Sequence, residues 1–178
     1  MPRLKAGAMA ERRQRIALAA YRCFVREGFA AASVDSICAE AGISKGAFYV
    51  HFKSKEALVH AVAELRSEAI PPLPGDSAET LADAIVELLI GGMIDVKAAR
   101  FELEAMMASI ADSELGTRAR ANLDAIRDRI AEALARFGNP ANAEGAMTFC
   151  LGVILRSGTW TPPERDAVRE ALARLLSA

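Results

Sequence analysis

Apolar residues recur along this chain at helical spacing, and nowhere do they alternate long enough to make a strand. Over residues 10–27, Ile16, Ala20, Cys23 and Phe24 fall on one face, which predicts a helix with a single buried stripe. Arg12, Arg13, Arg15, Arg22 and Arg26 lie mainly off that stripe. Gly28 then reads as a helix stop. Ser33 is placed to cap a short second helix, 34–40, and Gly42 breaks it. Ser44 can cap a third helix at about 45–51. Ser54, with Glu56 in the first turn, can cap a fourth over 56–70, whose stripe is Ala57, Leu58, Ala61, Val62 and Leu65.

The run Pro71-Pro72-Leu73-Pro74-Gly75 is the clearest break in the chain. Asp76 or Ser77 can cap a fifth helix with Leu81, Ile85, Leu88 and Leu89 inward, and Gly91-Gly92 weakens its end. A sixth helix, roughly 96–110, carries Phe101, Met106, Met107 and Ile110. Asp112-Ser113 opens a long seventh with the stripe Leu115, Ala119, Leu123, Ile126, Ile130, Leu134 and Phe137, ended by Gly138-Asn139-Pro140. Residues 141–157 are apolar on nearly every face, and Thr161-Pro162-Pro163 separates them from a last helix, 164–176. The pattern is all-α, about nine helices in total.

Length and composition bound this picture without changing it. A chain of 178 residues makes one or two domains, and 52% apolar with 25% charged residues is a globular balance. Cys23, Cys38 and Cys150 are far apart and odd in number, against a disulfide framework or a zinc site, and in favour of a reducing cytoplasm. Packing is the expected role of all three; redox sensing would lack a partner cysteine. No apolar run follows the charges at Met1-Pro2-Arg3-Leu4-Lys5, and the longest strongly apolar stretch, 146–155, is half of what a membrane span needs. A soluble protein is expected. Arg3 and Lys5 could form a flexible arm or a disordered start.

Charge does change the picture. The net charge is −1, which alone speaks against a polyanion partner. Residues 1–60 nevertheless hold ten Lys or Arg against five Asp or Glu, a net +5, and the remainder is correspondingly acidic.

The basic third coincides with a constellation at 33–55. Two short helices joined through Ala41-Gly42-Ile43 have the form of a helix-turn-helix. Ile37, Ile43, Phe48 and Phe52 can close a small core with Ile16 and Phe24. In such a unit the third helix enters the major groove, N-terminal residues nearest the bases, which here are Ser44, Lys45, Gly46 and Ala47. Lysine can donate to guanine O6 and N7, Gly46 lets the backbone approach, and the Ala47 methyl can meet a thymine methyl. Tyr49, His51 and Lys55 suit phosphate oxygens, as does the N-terminus of the second helix at Ser33.

From Arg13-x-x-Ile16 through Ala20, Phe24, Gly28-Phe29, Ser33-Val34-x-x-Ile37, Ala41-Gly42-Ile43-Ser44-Lys45-Gly46 and Tyr49-x-His51-Phe52-x-x-Lys55-x-x-Leu58, the chain resembles the DNA-binding domain of the tetracycline-repressor (TetR) family, without a gap over residues 12–60. The resemblance implies a helix-turn-helix DNA-binding domain at 1–55. It also implies a larger helical ligand-binding and dimerisation domain at 56–178, with 56–70 as connecting helix. It implies that Lys45, Gly46 and Ala47 face bases while Ser33, Tyr49, His51 and Lys55 face backbone. Ala47 stands where threonine is common, Phe48 where leucine is common, and Cys38 where alanine is usual.

The body carries softer expectations. Leu89, Met93, Phe101, Met106, Ile126 and Met147 are candidates to line an effector pocket among the helices, methionine being adaptable. Arg100, Glu102 and Glu104 could orient a ligand but read first as surface charge. A helix apolar all round must be covered on both sides. Met147, Leu151, Ile154 and Leu155, with Val168, Leu172 and Leu175 of the last helix, are therefore expected to build a two-fold four-helix interface. The expected partners are a palindromic duplex operator, a small-molecule effector and a second copy of the chain, with no cofactor, metal or membrane. An activator, or a regulator under a protein partner, stays open. An enzyme is improbable, because no nucleophile–base spacing, Gly-rich phosphate loop or metal-ligand cluster is present.

Overall fold

The computed structural model describes residues 2–90, 96–111 and 113–178, and among these it holds α-helices and no strand. The helices are α1 (Pro2–Glu27), α2 (Val34–Ala41), α3 (Lys45–His51), α4 (Glu56–Ala69), α5 (Ala78–Ile90), α6 (Val96–Ala111), α7 (Ser113–Leu134), α8 (Asn142–Thr159) and α9 (Arg165–Ser177). The chain forms two compact units. One comprises residues 1–69 with 104–119, and the other residues 70–103 with 120–178.

In the first unit α1 packs against α2 and α4, and α2 against α3. Ile16, Ala20, Cys23 and Phe24 are buried, as the stripe predicts, and so are Ile37, Phe48, Phe52 and Leu58 of the same unit. Phe24 and Phe29 meet edge to face at 5.2 Å, a favourable ring geometry. The helix α1 begins well before residue 10. Pro2 stands at its first position, where a fixed φ and a missing N–H cost nothing, so Arg3 and Lys5 lie on helical backbone rather than on an arm or a disordered start.

The second unit is built on α5, the later turns of α7, and α8 and α9. Leu81, Ile85 and Leu89 of α5 meet Ile130 and Leu134 of α7, Cys150 and Val153 of α8, and Val168, Leu172 and Leu176 of α9. Ser77, not Asp76, caps α5, its Oγ accepting from the Thr80 N–H at 3.2 Å. Ion pairs Arg165–Glu87 and Arg169–Asp83 run along the seam between α5 and α9. Both pairs are exposed, so they align the two helices more than they stabilise them.

This packing corrects part of the interface expectation. Val168, Leu172 and Leu176 recur every four residues, and that stripe of α9 is spent on the chain's own core. Met147 is buried as well. None of Met147, Val168 and Leu172 is available to a second copy. Leu151 and Ile154 remain half-buried, while Leu155 and Leu175 are exposed together with Trp160.

The expected pocket residues are divided between the two units. Leu89 and Ile126 belong to the core of the second unit, and Phe101 and Met147 are buried. Met106 lies in the first unit, and Met93 lies outside the described residues. A groove of the first unit runs between α1 and α4, lined among others by Met9, Arg12, Arg15, Leu18 and Leu65, none of them an expected pocket residue. The cysteines are free and buried, and burial raises each thiol pKa, that of Cys150 to about 12, which leaves them unreactive packing residues.

Candidate nucleic-acid interface

Two short helices hold the site because their ends are closed locally. At the start of α2 the Ser36 N–H donates to Ser33 Oγ and the Ser33 N–H donates to Ser36 Oγ, both at 3.0 Å. That is a reciprocal capping box with serine in the second position. At the other end Gly42 takes φ +65, the left-handed region that glycine enters without steric cost. There the Gly42 N–H donates to Ala39 O at 3.3 Å and the Ile43 N–H to Cys38 O at 3.0 Å. This Schellman pair satisfies the last carbonyls and turns the chain toward α3. Ser44 Oγ then accepts from the Ala47 N–H at 3.2 Å and starts α3. The hydroxyl expected to face bases is therefore engaged as a cap.

Burying Phe48 decides which face α3 shows. With Phe48 at 0% exposure and Phe52 closing the helix, Lys45, Gly46, Tyr49 and Val50 turn outward. Tyr49 is 55% and Val50 67% exposed, and the Tyr49 ring leans edge-on against Phe48. Ala47 is half-buried. Val50 is a surface residue that the sequence reading passed over. Its position four residues after Gly46 was the available signal.

Lys45 is exposed, and its Nζ lies 2.8 Å from Asp35 Oδ1, a residue in the first turn of α2. The hydrogen bond and charge of Asp35 push the lysine pKa up, so the ammonium is firmly protonated. The ring of His51 is shifted the other way. Desolvation, then the charges of Arg12 and Arg13, lower its pKa, so the imidazole is neutral at pH 7 and can offer a phosphate only a neutral N–H.

Lys55 does not point to solvent. Its Nζ donates to the carbonyls of Phe29 at 2.8 Å, Ala30 at 3.2 Å and Ala32 at 3.0 Å, and it sits 4.7 Å from the Phe29 ring centroid. Three N–H bonds on three carbonyls leave none for a phosphate. The expected backbone contact gives way to a structural one, in which Lys55 fastens the α1–α2 connection. Glu104 of α6 grips the same connection, its Oε2 accepting from the Phe29 N–H at 2.6 Å. A surface reading of Glu104 missed this contact. Lys55→Met keeps the apolar stem and removes the donors. It is expected to cost about 1–3 kcal/mol in urea unfolding; an unchanged midpoint would return Lys55 to the surface.

Three arginines of α1 also hold partners within the unit, Arg13 half-buried and Arg22 and Arg26 on the surface. Arg13 Nη1 donates to His51 O at 2.8 Å while its guanidinium lies 4.2 Å from the Phe52 centroid. Arg26 pairs with Glu27 and Glu40, and Arg22 with Glu40. These contacts tie α1 to α2 and to the end of α3. Arg12, Arg15 and Lys53 are exposed.

The pattern described as "Bacterial regulatory proteins, tetR family" matches residues 16–62, the whole of this helix-turn-helix. A second, described as "Tetracyclin repressor-like, C-terminal domain", matches residues 76–178, more than half of the chain. The chain belongs to the TetR family. The chain is 52% identical over 56 residues to the uncharacterized HTH-type transcriptional regulator YerO of Bacillus subtilis (strain 168), a stretch covering 32% of this chain and 19% of that one. It is 35% identical over 99 residues to the HTH-type transcriptional repressor Rv1474c of Mycobacterium tuberculosis (strain ATCC 25618 / H37Rv), covering 56% of this chain and 48% of that one. The chain thus spans less than half the length of these two curated relatives. Among solved structures of the same fold, the multidrug binding protein EbrR complexed with proflavin superposes with a TM-score of 0.64 at 27% identity, over 92% of this chain and 99% of that one. For this TetR-family chain the α3 face is the surface to test against DNA. Among the described residues, no helix is long and apolar enough to cross a membrane.

Proposed function

We propose that this chain is a sequence-specific DNA-binding regulator of transcription, acting as a repressor that a small-molecule effector releases. The observation that carries the reading is the outer face of α3. Lys45, Gly46, Tyr49 and Val50 stand exposed on a helix whose inner face is locked by Phe48 and whose ends are capped. Lys45 and Val50 are the candidates for base edges, Val50 through a thymine methyl. Gly46 and the small, half-buried Ala47 let the helix approach closely. Tyr49, His51, Ser33 and the exposed Arg12, Arg15 and Lys53 are candidates for the sugar–phosphate backbone. The likeness to a mycobacterial repressor supports the sign of regulation, and the likeness to EbrR, solved with proflavin, supports a small-molecule effector.

A duplex operator with two-fold symmetry calls for two heads one helical turn apart. The surface proposed to pair two copies is Leu151, Leu155 and Leu175, with Ile154 behind them and Trp160 added. An effector acts by binding the DNA-competent and DNA-incompetent states with different affinity. The connecting helix α4, packed on α1, is the proposed transmitting element.

Selection of bound duplexes from random DNA tests the reading. A palindromic consensus is the expected result, and recovery of unselected sequence overturns it. Lys45→Ala is expected to relax preference at one position per half-site by about 1–3 kcal/mol. Equal losses on every sequence would remove Lys45 from the bases.

A further inference from the structure

We infer that Asp35 and Lys45 act as one reading unit that recognises an oriented base pair, acceptor toward the lysine and donor toward the carboxylate. The inference rests on the DNA-reading role proposed for α3 and names what its face selects. An acid is out of place on a surface that meets phosphates, and Asp35 is exposed beside Lys45 rather than buried in a structural pair. Other acids of the head are used differently. Glu27 and Glu40 bind Arg22 and Arg26 between α1 and α2. Asp35 lies in the first turn of α2, fixed by the Ser33–Ser36 box, and Lys45 is the first residue of α3, fixed by the Ser44 cap. Two independent caps therefore hold the backbones that carry the pair.

The pair presents a donor and an acceptor 2.8 Å apart. In the major groove a G·C pair presents guanine N7 and O6 as acceptors, then the cytosine N4 amino group as a donor. O6 and N4 are joined by one interbase hydrogen bond, so they are about 2.9 Å apart. The ammonium has N–H bonds to spare for N7 and O6 while one stays on Asp35, and the carboxylate oxygen that receives it keeps a lone pair to accept from N4. With the guanine on the lysine side every group is matched. A T·A pair offers O4 and N6 in the same order, but on the lysine side only one acceptor, beside a methyl group, and on the carboxylate side the adenine N7 as a second acceptor. C·G sets an amino group against the ammonium, and A·T sets a carbonyl against the carboxylate. The expected order is G·C first, T·A second, and the two reversed pairs rejected. Lysine alone is a point charge that any acceptor attracts, phosphates included. Asp35 supplies the orientation.

The test is binding of the full-length protein to duplexes randomised at the selected positions, with wild type, Lys45→Ala, Asp35→Ala and Asp35→Asn. Wild type is expected to select G·C at one position per half-site. Both Asp35 variants should bind random DNA at least as tightly as wild type. They should also lose preference against C·G and A·T at that same position by roughly 5- to 150-fold. The Asn variant keeps the side-chain shape if Ala perturbs α2, and retained thermal unfolding identifies the variant to use. Relaxation at different positions in Lys45→Ala and Asp35→Asn overturns the inference while leaving DNA reading intact. So does an Asp35→Asn gain in affinity that is equal on all sequences. A wild type with no base preference at any position overturns DNA reading itself.

Discussion

Phe48→Ala is expected to remove about 3–5 kcal/mol of stability, read as a fall in the urea midpoint. Phe48 is fully buried. Its ring lies 6.0 Å from Phe52 and 5.3 Å from Tyr49. Truncation leaves a cavity at the junction of α3 with the rest of the unit, where a seven-residue helix cannot survive on propensity. A domain of ordinary stability has about 5–15 kcal/mol in total, so the loss is a large share of it. Operator binding should fall with it, because the outward face of α3 exists only while the inner face is seated. Phe48→Leu keeps most of the apolar volume and should retain most of the stability. A Phe48→Ala protein with an unchanged midpoint would mean that α3 is held by its caps alone.

The second large effect separates core from interface on one pair of helices. Leu172→Glu is expected to unfold the second unit or cost it about 4–5 kcal/mol or more, because the carboxylate enters a core with no partner. Leu172 has no exposure, and α9 packs it toward α5 and α8. Leu151→Glu should do something different. Leu151 is half-buried on α8, so a monomer chain tolerates the charge at modest cost, while two copies facing each other there do not. Sedimentation is expected to give a folded monomer for Leu151→Glu. A stable Leu151→Glu dimer would move the interface away from α8. A Leu172→Glu variant that is folded and monomeric would mean that α9 faces a partner after all.

These two predictions show where the sequence was readable. Helix ends were, because they are decided within three or four residues. Ser33, Ser44, Ser54 and Ser77 cap as their spacing predicts, and Gly28 and Gly42 take positive φ where the stripes stop. The inner face of the head was readable for the same reason. What failed was any judgement about where a charged or apolar group finds its partner across the fold. Lys55 sits in a basic stretch, yet its acceptors are 23 to 26 positions away in sequence. The contact from Glu104 to Phe29 spans 75 positions. The α9 stripe was plainly apolar, but the pattern could not say whether α5 or another copy of α9 would cover it. The start of α1 was missed because Ala, Gly and Met at 6–10 lack a strong stripe, while Pro2 only marks a start once the helix is known.

The inward turn of Lys55 also bears on how strongly ionic strength should govern DNA binding. Each phosphate neutralised by a cation releases condensed counterions and adds about 0.9 to the slope of log affinity against log salt. A count of the head's ten basic residues would suggest a slope near 9 per head. Arg13 and Lys55 donate to backbone carbonyls and Arg22, Arg26 and Lys45 pair with carboxylates, which leaves five and a value of about 4 to 5. Part of the head's charge thus serves to assemble the head. Two heads on one operator would still sum to a steep slope, so added salt should weaken binding on every sequence while leaving the preference between sequences in place.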